Sequence, residues 1–171
     1  WEIVSRNLER IYALTLNMLA YSKQRRPDLE MTAIGPILEE VVELVQRQYD
    51  VKKVALLADI EPDMPPIPLD PAGAHQAILN LLQNALDAVA PETGAVTMRC
   101  TFNETKACVE VQIIDNGTGI EPSVMANLYQ PFVSTKGYKG TGLGLVATKK
   151  VVDEHGGDIQ CLSDPKKGTT F

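Results

Sequence analysis

The stretch HQAILNLLQNALDAV, residues 75–89, imposes a constraint that few folds can meet. Its apolar residues recur at helical spacing. Ile78, Leu79, Leu82 and Leu86 point away from a line that carries Gln76, Asn80, Asn84 and Asp87. Asn80 and Asn84 lie four residues apart and so share one helix face. Two amides on an otherwise apolar helix cost free energy to bury unless each finds a partner. An amide oxygen is a hard ligand suited to Mg²⁺, and Mg²⁺ usually brings substrate phosphates with it. The alternative is two solvent-facing asparagines, which the leucines around them disfavour.

The other segments indicate what could pack against such a helix. Residues 2–26 read as one long amphipathic helix, with Val4, Leu8, Ile11, Thr15, Met18 and Ser22 in near-heptad spacing, ended by Arg25-Arg26-Pro27. That spacing suits a helical hairpin or coiled coil whose partner is a second copy or a further helix. A second helix is expected over 36–49, with Pro36 in its first turn, then a strand over 54–60 and a proline-rich link, EPDMPPIPLD. Asp70 and Pro71 form an N-cap and first helical position, opening a helix to about residue 89. Strands over 95–103 and 107–114 form a hairpin. A short helix over 123–129 and a loop over 130–141 follow. A helix over 142–155 is then stopped by Gly156-Gly157, and strands over 157–163 and 168–171 close the chain. The fold class is α+β: a two-layer sandwich of a mixed, mostly antiparallel sheet with helices on one face, preceded by a long helix.

Composition narrows the function. The net charge is −6, so no basic field is available for nucleic acid; Lys149-Lys150 and Lys166-Lys167 read as solvated lysines. The three cysteines, Cys100, Cys108 and Cys161, are widely spaced and odd in number, which argues against a disulfide framework or a zinc site. No apolar run reaches the ~18 residues of a membrane span, and no signal peptide opens the chain. A cytoplasmic location follows as the expectation. Trp1 starts mid-pattern and Phe171 ends mid-strand, so a piece of a longer protein is expected, one that can carry a membrane anchor elsewhere.

Two glycine-bearing stretches carry the chemistry. KGTGLGL, residues 139–145, lacks the spacing of a P-loop. Gly140, Gly142 and Gly144 give GxGxG after a loop instead of GxGxxG after a strand, so the dinucleotide fingerprint also fails. What remains is a glycine-rich helix start that can hold an anion at its positive end. In IIDNGTGI, residues 113–120, Asp115 follows a strong strand and can accept a hydrogen bond from an exocyclic amine such as that of adenine. Gly117 and Gly119 let the backbone approach a flat ring. On these residues alone, an ordinary Asn-Gly turn is the alternative.

Taken in order and at these separations, NLLQNALDA, DNGTGI, QPFVSTK and GTGLGL resemble the N, G1, F and G2 boxes of the sensor histidine kinase ATP-binding domain. That domain has the Bergerat fold and shares a superfamily with DNA gyrase, the mismatch-repair ATPases and the heat-shock chaperone. The resemblance covers residues 34–171, and VVDEHGGDI and the terminal GTTF also fit it. Residues 1–30 resemble the second helix of the kinase dimerisation and phosphotransfer hairpin. The resemblance implies ATP and Mg²⁺ as ligands. Asn84 then matches the magnesium-ligating residue, with Asn80 beside it, and Asp115 the residue that reads adenine. Gly117 and Gly119 shape the adenine pocket, and Phe132 packs the loop over the nucleotide. Gly140, Thr141, Gly142, Leu143 and Gly144 form the phosphate-meeting loop. Thr169 matches a threonine near the adenine-side aspartate, and Lys136 is the lid cation placed to follow the γ-phosphate. Many family members carry a basic residue three positions after the metal-ligating Asn; this chain has Asp87, leaving Lys136 or Lys139 as substitutes.

In gyrase-like relatives a glutamate four residues before the metal ligand activates water. Here that position is Asn80, which is not a base, so transfer to a protein side chain is favoured over hydrolysis. The implied reaction moves the ATP γ-phosphoryl group to a histidine on a preceding helix, in a dimeric parent that then serves a response regulator receiver domain. Two alternatives use the same nucleotide site: an anti-sigma-type serine kinase, and a non-catalytic ATP-binding module. His75 sits inside a packed helix and His155 at a helix end, so neither suits the acceptor role. The chain is therefore expected to bind radiolabelled ATP without labelling itself; strong acid-labile, alkali-stable label on His75 or His155 would overturn that expectation.

Overall fold

The computed structural model describes Thr15, residues 27–133 and residues 141–171. The amphipathic helix expected over 2–26, apart from Thr15, lies outside the described residues, as do Lys136, Lys139 and Gly140.

The first long element is α1 (Ile34–Lys52), preceded by the three-residue strand β1 (Glu30–Thr32). Helix α1 buries Ile34, Ile37, Leu38, Val41, Val45 and Tyr49, a stripe along one side. It begins two residues earlier than the proline at position 36 indicates, because Pro36 still falls in the first turn, where no amide donor is needed. Lys53 ends it in the left-handed conformation, φ 54°. Strand β2 (Ala55–Ile60) follows, then β3 (Ile67–Leu69) and α2 (Pro71–Ala88). Asp70 caps α2 as the sequence indicates: its Oδ1 accepts from Ala72 N at 3.1 Å and Gly73 N at 3.2 Å.

The hairpin is β4 (Ala95–Asn103) and β5 (Cys108–Asp115), after which come the single turn α3 (Pro122–Met125), α4 (Gly144–Glu154), β6 (Leu162–Asp164) and β7 (Gly168–Thr170). Five strands form one sheet in the order β2-β4-β5-β7-β6. The β2–β4 pair is parallel and the other pairs are antiparallel. Strands β1 and β3 pair separately as an antiparallel ribbon. The proline-rich link thus contains a strand, with Pro68 opposite Met31. A two-stranded ribbon tolerates a proline whose missing donor faces outward.

Alternation along β4 sends Val96, Met98 and Cys100 to the helix side, and the register places Asp115, Ile113 and Val111 of β5 beside them. Helices α1, α2 and α4 cover that face, α2 lying between the other two. Leu38, Val41, Val45, Tyr49, Leu82, Met98 and Ile113 are fully buried there. The opposite face is polar: Arg99 Nε meets Asp59 Oδ2 at 2.9 Å across the parallel pair. Among the described residues, no helix is long and apolar enough to cross a membrane.

One polar bond spans this core. The Tyr49 hydroxyl of α1 donates to the Leu82 carbonyl of α2 at 2.8 Å, and burial drives the phenol far above its ordinary range. Replacing Tyr49 by Phe is expected to lower unfolding stability by about 1 kcal/mol, and Tyr49→Ala by about 3–5 kcal/mol. Urea denaturation at constant m-value checks both.

Candidate functional site

The amide face of α2 looks toward the start of α4. Asn80 is only 5% exposed. Its Oδ1 accepts from Gln76 Nε2 at 3.1 Å, and its Nδ2 donates to the Gly144 carbonyl at 3.3 Å. Asn84, one turn on, is half-buried. Asp87 is exposed and meets Lys52 Nζ at 3.4 Å. The same ammonium donates to the Leu86 carbonyl at 3.2 Å. An ammonium from the last turn of α1 thus lies beside position 87. Sequence reading missed Lys52, because only the α1–α2 packing brings residues 35 positions apart together.

Asp115 is the last residue of β5, not the first beyond it. It lies opposite Val96 on one side and Thr169 on the other, with its side chain on the helix face of the sheet. It is 8% exposed. Burial raises its pKa above the usual carboxylate value, and the backbone N–H groups of Gly117 and Thr169 pull it partly back. The Gly117 N–H reaches Asp115 Oδ1 at 2.8 Å. Asn116, which an Asn-Gly turn would leave to solvent, instead closes the start of β4: it accepts from Ala95 N at 2.8 Å and donates to the Thr93 carbonyl at 3.2 Å.

The glycines of this loop are needed for close approach. A Cβ at Gly117 would lie 2.5 Å from the Ala88 carbonyl oxygen, and one at Gly119, φ 69°, 2.3 Å from that of Asp164. The loop is thus clasped between the end of α2 and the β6–β7 turn, where Lys166 N donates to the Thr118 carbonyl. Ser163, unnoticed in the sequence, ties the parts together. Its Oγ accepts from Ile120 N at 2.8 Å, lies 2.9 Å from Thr169 Oγ1 and donates to the Gly168 carbonyl at 3.0 Å. Thr169 is 5% exposed and sits beside Asp115 through its backbone, while its hydroxyl joins the Ser163 network. Further along the same region, burial first and then the charge of Asp115 push the Cys161 thiol up to about 11.

Gly142, φ 64°, and Phe132, φ 66°, are held against each other: Phe132 N donates to the Gly142 carbonyl at 3.1 Å. Phe132 is 76% exposed, and its backbone makes the contact with Gly142. Thr141 Oγ1 accepts from Leu143 N at 3.3 Å, and Leu143 is buried at 2% exposure beneath the helix start. Helix α4 then begins without a side-chain N-cap. Its first amide donors therefore have no acceptor within the helix.

His155 does not join this group. Its Nε2 accepts from Asp70 N at 2.9 Å and its Nδ1 lies 2.6 Å from the Val151 carbonyl, so it links the end of α4 to the start of α2. Among the described residues, no three His, Cys, Asp or Glu side chains stand together as a metal cage. A cation beside Asn84 would draw on an amide oxygen plus oxygens brought by a ligand, which is the donor set Mg²⁺ accepts.

Residues 69–171 match the family of histidine kinase-, DNA gyrase B- and HSP90-like ATPases. The chain is 35% identical over 150 residues to the sensory histidine kinase/phosphatase NtrB of Salmonella typhimurium, covering 82% of this chain and 42% of the relative. The chain spans less than half the length of the curated relatives it matches. Its fold superposes on full-length ShkA in complex with AMPPNP at a TM-score of 0.82, with 22% identity over 99% of this chain and 35% of that one. It superposes likewise on histidine kinase ThkA in complex with the response regulator TrrA at 0.76, with 20% identity over 99% and 48%.

The Asp115 carboxylate yields a signed stability test. Its folded pKa lies above the unfolded value of about 3.9, so its ionisation costs stability as pH rises through the folded value. Asp115→Asn is expected to be more stable than wild type at neutral pH, the difference closing toward pH ~4. Urea midpoints across that range decide, and a less stable variant at neutral pH refutes the assignment.

Proposed function

Because the chain belongs to the histidine kinase-, DNA gyrase B- and HSP90-like ATPase family, we propose that residues 34–171 form the ATP-binding catalytic domain of a two-component sensor histidine kinase. Residues 1–30 would then be the second helix of its dimerisation hairpin. The observation that carries phosphoryl transfer over hydrolysis is Asn80. The position where gyrase-like relatives hold a water-activating glutamate is a buried amide, and its oxygen already accepts from Gln76.

The geometry supports the following proposed roles. Asp115 accepts from the adenine amino group. Gly117 and Gly119 bring backbone against the ring, and Thr169 keeps the carboxylate in place through the β5–β7 pair. Asn84 would hold Mg²⁺, which when bound neutralises phosphate charge. The uncapped start of α4 and the loop of Gly140, Thr141, Gly142, Leu143 and Gly144 supply donors for the phosphates, and Lys136 a mobile cation. Catalysis of this kind rests on positioning and charge, with no covalent step on this domain. The acceptor is a histidine on a preceding helix of a homodimeric parent, from which the phosphoryl group passes to a receiver domain. ThkA, whose fold this chain shares, is known in complex with a response regulator. The domain would work in the cytoplasm, where ATP is available.

Calorimetry tests this reading. Mg·ADP is expected to bind the wild-type chain. Asn84→Ala is expected to lose the Mg²⁺-dependent part of the affinity, about tenfold or ~1.4 kcal/mol, while keeping metal-free ADP binding. Absence of any heat with Mg·ADP defeats the proposal. Adding the parent's histidine-bearing hairpin should give an acid-labile phosphoprotein; an acid-stable product would instead make the acceptor a serine.

A further inference from the structure

We propose that Asn80 is a positioning residue that fixes the first turn of α4 for the phosphates, and that Asn84, alone of the two amides, faces the cation. The inference rests on the nucleotide-binding reading above, and it separates two residues that the sequence treats as a pair.

Three observations carry it. First, the Asn80 amide has its orientation imposed. Gln76 Nε2, which can only donate, lies 3.1 Å from Oδ1, and the Gly144 carbonyl, which can only accept, lies 3.3 Å from Nδ2. Reversing the amide would set its oxygen against the Gly144 carbonyl, acceptor against acceptor. Second, Oδ1 is the one side-chain atom of Asn80 with affinity for a cation, and it already accepts a hydrogen bond from Gln76 in a residue only 5% exposed, which leaves it little open space for a metal ion. Third, the partner of Nδ2 is the first residue of α4. A Cβ at Gly144 would stand 3.7 Å from Asn80 Cγ, so helix start and amide are in contact. The carbonyl two residues earlier, Gly142, accepts from Phe132 N at 3.1 Å. The loop's carbonyls are thus tied back to the protein at two points, one on α2 and one beside Phe132. Asn80 acts through Gly144 and does not touch the nucleotide.

The discriminating variant is Asn80→Asp, which keeps the shape and turns the amide donor into an acceptor facing the Gly144 carbonyl. A metal ligand would gain from that change, since a carboxylate binds Mg²⁺ better than an amide. A strut would lose. Hydrogen exchange of the full chain should therefore show faster exchange at Ala147 and Thr148 in Asn80→Asp. Calorimetry should show ADP affinity lower by about tenfold with and without Mg²⁺ alike. Adenosine, which lacks phosphates, should bind as in wild type, a separation that general destabilisation would not produce. Unchanged exchange in α4, or an effect confined to the Mg²⁺ arm, overturns the proposal. If Asn80→Asp does not fold, Gln76→Leu removes the donor that sets the amide; it should move exchange and ADP affinity in the same directions by a smaller factor, and no change there also overturns it. Wild-type protein that binds no ADP refutes the nucleotide reading, and the exchange comparison then decides the strut on its own.

Discussion

A helix that packs on two neighbouring helices and a sheet at once has one narrow face left, and in α2 that face carries amides. Leu82 and Leu86 are fully or nearly fully buried toward the core, and Ala74, Ala77 and Ala85 leave room for close neighbours. A fully buried leucine contributes about 1.5–3 kcal/mol, while an unpartnered buried amide costs about 1–3 kcal/mol. One orphaned asparagine would therefore cancel one leucine. The helix is stable in this position because Gln76 and the Gly144 carbonyl satisfy Asn80. The polar partner also fixes where α4 begins, so the packing that builds the core and the geometry that builds the site share one element.

Asp115 shows the same coupling from the sheet side. A carboxylate placed on the covered face of a strand is a cost in the unliganded domain, only partly offset by the Gly117 and Thr169 amides. That cost persists because neighbours hold the residue rigidly. Gly168, φ 113°, lies so close that a Cβ there would come within 1.9 Å of the Asp115 carbonyl oxygen. The β7 strand can approach only as glycine, and the Ser163 hydroxyl then links that hairpin to the loop after Asp115. Phe132 stores a comparable cost: a bulky residue at φ 66° is worth about 1–3 kcal/mol of backbone strain, held by its bond to Gly142.

What the sequence made legible were features written over many residues. Strand β4 runs Ala95–Asn103, as its alternation indicated, and the Asp70-Pro71 cap opens α2 as its chemistry required. Five strands in a mixed, mostly antiparallel sheet with helices on one face match the fold that the boxes implied. The β1–β3 ribbon was illegible, because three residues carry no period and prolines mask the pattern. Asp115 was placed one residue outside its strand, an ordinary boundary error. The partners within the site were illegible for another reason. Gly144 is 64 residues from Asn80, and Ser163 is 43 from Ile120; such pairs are properties of the packing, not of any local motif.

The acidic residue at position 87 illustrates how a local departure resolves in three dimensions. On the sequence alone it removes a positive charge from the phosphate side of α2. In the fold, Lys52 brings that charge back from α1. The Lys52–Asp87 pair is exposed on both sides, so as an ion pair it is worth only about 0–1 kcal/mol. Its value is positional: the ammonium also donates to the Leu86 carbonyl, at the negative end of α2, where a cation is favoured. The charge at this corner is therefore exchanged between helices and not lost. Because the exposed pair contributes so little by itself, the bond to the Leu86 carbonyl is what ties the ammonium to the end of α2.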